Sequence, residues 1–183
     1  GGGEKRAPWP LHATLAAMSH ADLTADLYPV LSAFADLDDG AGPQPAASLA
    51  ALPLAGGLIN DTYCLGERYV LQRLHRIFAA EVNLDIAALV PHLLAGGVPV
   101  PTLCPARSGL PWVHIDDVCS PLHGTWRILT RVPGATQHRL ANAQQARAAG
   151  AMVGQFHTAL AGVDHAFAFT RPGAHDPALH MAT

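Results

Sequence analysis

The sequence predicts an α+β fold, a small lobe of five mainly antiparallel strands with one helix inserted after the third strand. Three observations lead there. "DTYCL" (Asp61–Leu65) and "RYVLQRLH" (Arg68–His75) are rich in β-branched and aromatic residues and meet through Gly66-Glu67, so they read as an antiparallel hairpin. From about Ala79 to Ala95, Val82, Ile86, Leu89, Val90 and Leu93 recur at helical spacing and predict a helix. "WVHIDDV" (Trp112–Val118) and "TWRILTRV" (Thr125–Val132) then supply two more strands.

The elements follow in chain order. Between Ala21 and Leu37, Leu23, Leu27, Val30, Leu31 and Phe34 form a helical stripe, and Pro29 should kink or divide it. "DDGAGPQPA" (Asp38–Ala46) reads as a linker by its Gly and Pro content, and "SLAALPLAG" (Ser48–Gly56) as a short strand. Gly96-Gly97 ends the central helix, since helix C-termini favour glycine. "VPVPTLCP" (Val98–Pro105) runs extended, "ARSGLP" (Ala106–Pro111) is a turn and "CSPLHG" (Cys119–Gly124) a loop. After a loop at "PGATQHRL" (Pro133–Leu140), Ala141–Val163 make the clearest helix, and Asp164–Thr183 read as irregular. The expected divisions are therefore a helical extension and linker (1–45), the sheet lobe (46–133), and a helix beginning a further unit (134–183). No internal repeat is visible.

Composition narrows the function classes. The chain has 183 residues, half of them hydrophobic, with only 14% charged, so it has core enough to fold and is not a disordered tail. Net charge is −3 without a long basic run, which leaves no electrostatic footprint for nucleic acid. Lys5 is the sole lysine, so cationic chemistry further along falls to Arg or His. Cys64, Cys104 and Cys119 are widely spaced and odd in number, which reads as reduced, partly buried thiols and a cytoplasmic setting. The N-terminal stretch has no apolar run of signal-peptide length, and its leading glycines are set aside from fold reasoning. "IAALVPHLLAGGVPVP" is broken by Pro91, His92, Gly96 and Gly97 and is too short to span a bilayer, so no membrane association is expected.

Several weaker constellations favour ordinary roles. The eleven histidines include no H-E-x-x-H pair, and His165, His175, Asp176 and His180 are only loosely grouped for a metal. Asp116 and Asp117, as strand neighbours, face opposite ways and cannot share acid–base work. "RSGL" is not a nucleophile elbow. His157 reads as a packing or capping residue, and Trp112 and Trp126 as packing in or beside the sheet. "GG" alone most often marks a plain turn.

Taken together, "GGLINDTYCL", "RYVLQRLHRIF" with "EVNL", "TWRILTRVPG", "AGAMVGQFHTAL" and "RPGAHDP" resemble the aminoglycoside phosphotransferase and choline kinase-like superfamily. Within it they look most like the sugar-kinase branch that includes N-acetylhexosamine 1-kinase. The resemblance spans Ser48 to about Ala178 and implies a protein kinase-like N-terminal lobe, a connector and the first helices of a second lobe. It implies ATP and Mg²⁺ as cofactors and a sugar-like or aminoglycoside-like acceptor. Gly56, Gly57, Asn60 and Thr62 would belong to the glycine-rich lid over the phosphates, with Asn60 fixing the turn or reaching a phosphate. Kinases place a lysine on the next strand; here the strand motif nominates Gln72, whereas charge alone nominates Arg73. Alternation puts the two on opposite faces, and the Y-V-L-Q-R string favours Gln72 in the cleft with Arg73 as an ion-pairing or solvated residue.

Glu81 or Asp85 would be the acidic partner on the helix, if either is more than a solvated charge. Thr130, Arg131 and Val132 would meet the adenine edge through main-chain groups. His175-Asp176 resembles a segment that precedes the catalytic loop rather than the loop itself. The loop, His-x-Asp followed by Asn and a metal-binding Asp, does not appear in the sequence. Two functions are therefore expected to compete: the nucleotide-binding part of a phosphotransferase, inactive alone, or a degenerate nucleotide-binding or interaction module. The apolar face of the long helix is expected to self-associate when nothing else covers it.

Overall fold

In the computed structural model, which describes residues 20–54, 59–135, 137, 139–171, 173–174 and 181, the first helical stripe is divided. Helix α1 (His20–Asp26) and α2 (Tyr28–Leu31) flank Leu27, and Pro29 sits in the first turn of α2, where its missing N–H is no loss. Leu23, Leu27, Val30, Leu31 and Phe34 are all buried.

The expected linker is instead a two-stranded ribbon, β1 (Leu37–Asp38) with β2 (Pro43–Gln44). The Asp38 carboxylate accepts the N–H groups of Gly40 and Gly42 at 2.8 and 3.2 Å, which holds its pKa below the ordinary range. The Tyr69 hydroxyl donates to the Asp38 carbonyl at 2.8 Å and fastens the ribbon to the main sheet. Glycine and proline content predicts only a linker here and does not signal the short ordered strands that flank its turn.

The main sheet holds β3 (Ala51–Pro53), β4 (Asp61–Leu65), β5 (Tyr69–Arg73) and β8 (Gly124–Thr130), antiparallel throughout, in that spatial order. Two short strands share the outer edge of β8: β6 (Leu103–Cys104) opposite Ile128–Leu129, and β7 (Val113–Ile115) opposite Gly124–Trp126. The expected five strands are thus six in this sheet among the described residues. Helix α3 (Val82–Ala95) is inserted between β5 and β6, and α4 (Ala143–Leu160) follows the connector. Asn142 caps α4: its side chain accepts the Gln145 N–H at 2.9 Å, and the Gln145 side chain returns to the Ala141 N–H.

One face of the sheet builds the core. Ala51, Tyr63, Leu65, Tyr69, Leu71, Cys104, Trp126 and Ile128 close against Leu23, Leu27, Val30, Leu31, Phe34 and Leu37. The Trp126 indole donates to the Leu122 carbonyl at 2.8 Å and stacks on Tyr63 with centroids 6.2 Å apart. Residues assigned to a separate extension before position 46 therefore supply one wall of the same core.

The central helix begins and ends near its expected limits, with Gly96 as its C-cap and Pro91 accommodated inside it. Its buried face differs from the apolar stripe. Only Leu93 of that stripe is buried, while Asn83 and Asp85 are the other buried residues. The physical reason is that both polar side chains find fixed partners, described below, so their burial carries no unmet hydrogen bond. Helix α4 lies against α3; a Cβ added at Gly96 would sit 2.5 Å from that of Ala159. Among the described residues of α4 none is buried, and Met152, Val153 and Phe156 are exposed.

Candidate functional site

Strand alternation defines a second sheet face, opposite the core. Residues paired directly across antiparallel strands share a side, so Leu52, Cys64, Val70, Leu129 and Leu103 form one row, and Thr62, Gln72 and Arg127 form the next. Most of these are half-buried; Thr62 and Leu129 are buried. The first row is apolar and ends beside the connector. The second row is polar and lies toward α3.

The polar row is one hydrogen-bonded chain. Thr62 Oγ1 donates to the Asn60 carbonyl at 3.3 Å, and Gln72 Nε2 donates to Thr62 Oγ1 at 3.3 Å. Arg127 Nε and Nη2 both donate to Gln72 Oε1, at 3.1 and 2.9 Å. Its Nη1 donates to Asn83 Oδ1 at 3.1 Å, and Asn83 Nδ2 donates to the Ala80 carbonyl at 2.8 Å. Burial presses the Arg127 pKa below its ordinary range, yet a guanidinium remains charged at any physiological pH. Its partners here are two neutral amides.

Gln72 therefore stands on the half-open face, and Arg73 on the core side. Arg73 forms an ion pair with Asp61, donates Nη1 to the Pro121 carbonyl at 2.8 Å, and lies 5.4 Å from the Trp126 ring centroid. Its side chain lies on the face opposite Gln72, as a buried ion-pairing cation. Asn60 fixes the chain locally, its Oδ1 accepting the His75 N–H at 2.9 Å. Gly56 and Gly57 lie outside the described residues.

Neither acidic candidate, Glu81 or Asp85, hydrogen-bonds Gln72 or Arg127 among the described residues. Glu81 is exposed at the N-cap. Asp85 is buried and accepts the N–H groups of Ala168 and Phe169, at 2.7 and 3.1 Å, and contacts His165 Nε2 at 2.9 Å. Burial pushes its pKa up, but the Ala168 N–H, the His165 ring and the Phe169 N–H outweigh that and hold it below the usual carboxylate value. Asp85 is thus the clamp that fastens the segment after α4 to α3, assisted by an edge-on contact between Phe78 and Phe169.

At the connector, the Thr130 N–H donates to the Thr102 carbonyl at 2.9 Å and the Arg131 N–H to the Arg68 carbonyl at 2.7 Å. Of the three expected adenine-edge residues, Val132 is the one whose N–H has no partner among the described residues. A cavity of about 610 Å³ opens here, lined by Glu67, Arg68, Tyr69, Thr130, Arg131, Pro133 and Gly134. Tyr69 and Thr130 are one residue out of step with Val70 and Leu129, so this cavity is distinct from the apolar row.

Among the described residues no group of three or more His, Cys, Asp or Glu could hold a metal ion, and none of their helices is long and apolar enough to cross a membrane. His175, Asp176 and His180 lie outside the described residues. Sequence reasoning missed Arg127 and Asn83. Arg127 could have been found by laying "TWRILT" antiparallel on "YVLQR", which sets it opposite Gln72. Nothing in the sequence signals Asn83. No protein-family model matches the chain, and a search of curated proteins gives no significant match.

Proposed function

We propose that this chain carries the nucleotide-binding lobe of an ATP-dependent phosphotransferase acting on a sugar-like or aminoglycoside-like hydroxyl. Adenine would lie against Leu52, Cys64, Val70 and Leu129 with its edge toward the Val132 N–H, and the phosphates would extend toward Thr62 and Gln72. The observation that carries this reading is the division of one half-open sheet face into an apolar row beside the connector and a polar, cationic row beyond it. A nucleotide has that same division, an apolar plane joined to a polyanion. The element order supports it too: two strands, a third strand, a helix, further strands and a connector, as in the kinase N-terminal lobe that the sequence resembles. Mg²⁺ would accompany the nucleotide and offset phosphate charge, and among the described residues no group of three or more His, Cys, Asp or Glu is placed to hold it.

A second reading, a kinase-derived module that binds nucleotide or a partner without phosphotransfer, is favoured by the commitment of Asp85 to the segment after α4. Calorimetric titration with ATP, with and without Mg²⁺, tests the binding shared by both. Saturable binding is expected, and its absence at millimolar nucleotide would overturn the nucleotide reading. Incubation with Mg·ATP and a panel of hexosamines tests the absence of turnover that both readings expect of the chain alone. The chain by itself should give no sustained ADP release, and sustained release would remove the second reading.

A further inference from the structure

We propose that Arg127 is the cation that grips the ligand's phosphates, and that Gln72 and Asn83 are positioning residues that aim it. This deepens the nucleotide-binding reading and rests on it. The strand position at which kinases carry a lysine holds the neutral Gln72, but the residue directly across the ladder is Arg127. A long side chain on the neighbouring strand thereby delivers charge to nearly the same place.

Three features of the geometry support an anion as the missing partner. First, Arg127 is half-buried and, among the described residues, hydrogen-bonds no carboxylate; its acceptors are the amide oxygens of Gln72 and Asn83. A partly desolvated cation held only by neutral dipoles is an incomplete electrostatic arrangement, which a phosphate would complete. Second, those acceptors use three of the five guanidinium N–H groups, leaving two for a ligand. Third, the orientation is determined from both sides. Gln72 is held by Thr62, and Asn83 by the Ala80 carbonyl, so the fork is pre-aimed. Arg73, next to Gln72 on β5, is engaged on the core face.

The chemistry recognised is a phosphate chain, whether part of a nucleotide or free. The test uses three probes, ATP, adenosine and tripolyphosphate, titrated into the wild-type chain and two variants. Arg127→Met removes the cation while keeping its stem. Gln72→Glu keeps the cation but gives it an internal carboxylate, so it decides the matter if Arg127→Met does not fold. Both variants should bind ATP and tripolyphosphate about 10- to 100-fold more weakly than wild type, Arg127→Met by losing a hydrogen bond to a charged group and Gln72→Glu by neutralising the cation and repelling the anion. Adenosine affinity should stay within about twofold, because the apolar row is untouched.

Unchanged ATP affinity in the folded variants would overturn the role of Arg127 and leave the nucleotide reading standing. Arg127-dependent tripolyphosphate binding, with no adenosine binding and no advantage for ATP, would support the anion grip and overturn the nucleotide reading. No binding of any probe would overturn both.

Discussion

Replacing Arg73 with leucine should destabilise the fold strongly while leaving the half-open face intact. The Arg73 side chain is 5% exposed and that of its partner Asp61 13% exposed, so the pair is buried. Arg73→Leu would leave the Asp61 carboxylate desolvated without its guanidinium. It would also strip the Pro121 carbonyl of its 2.8 Å donor and remove the cation from Trp126. Breaking a buried pair from one side costs about 3–5 kcal/mol, and the residual exposure of Asp61 argues for about 3 kcal/mol. For a chain of this length that corresponds to a fall in melting temperature of about 6–12 °C. Urea and thermal unfolding followed by circular dichroism would measure it. The double variant Asp61→Leu with Arg73→Leu should recover part of the loss, because it also removes the carboxylate that has lost its guanidinium. A single-variant loss below about 0.5 kcal/mol would refute the reasoning, since it would mean that Arg73 is solvated rather than committed to the core.

Gly96→Ala should destabilise by about 1–3 kcal/mol in urea titration, because its Cβ would meet that of Ala159 and push α4 off α3. The clamp at Asp85 should open in acid. Its folded pKa lies below the ordinary carboxylate value, so its contribution is present above the unfolded pKa and is lost as pH falls through the folded one. Amide exchange at Ala168 and Phe169 would accelerate over that descent, and Asp85→Asn should abolish the pH dependence. Burial pushes the Cys104 thiol up to about 11, so iodoacetamide at pH 8 should label exposed Cys119 while sparing Cys104 until the fold opens. Mass spectrometry of the labelled chain checks the order.

Much of the sheet was legible because it depends on short-range pattern. The β4–β5 hairpin needs only two alternating runs and a turn at Gly66, whose φ is +58°. Alternation alone also separated Gln72 from Arg73, since neighbouring strand residues must face opposite ways. The failures have a different cause. Asp38–Ala46 read as a linker because Gly and Pro report turn chemistry, whereas the ribbon is fixed by Tyr69, far along the chain. The apolar stripe of the central helix gave the helix but mistook its buried face, because Asn83 and Asp85 are satisfied by Arg127 and by residues 165–169. A hydropathy pattern counts a polar residue as exposed unless its distant partner is known.

The sequence by itself determined the types of the longer elements, the hairpin, the place of the helix among the strands and the fact that Gln72 and Arg73 face opposite ways. These follow from local propensity and from periods of two and 3.6. Only the tertiary structure decided that the N-terminal helices cover one sheet face, that Asp85 serves as a clamp, and that Arg127 lies opposite Gln72. Each of those joins groups far apart in sequence, and strand register between β5 and β8 is set by packing of the buried face rather than by either strand alone.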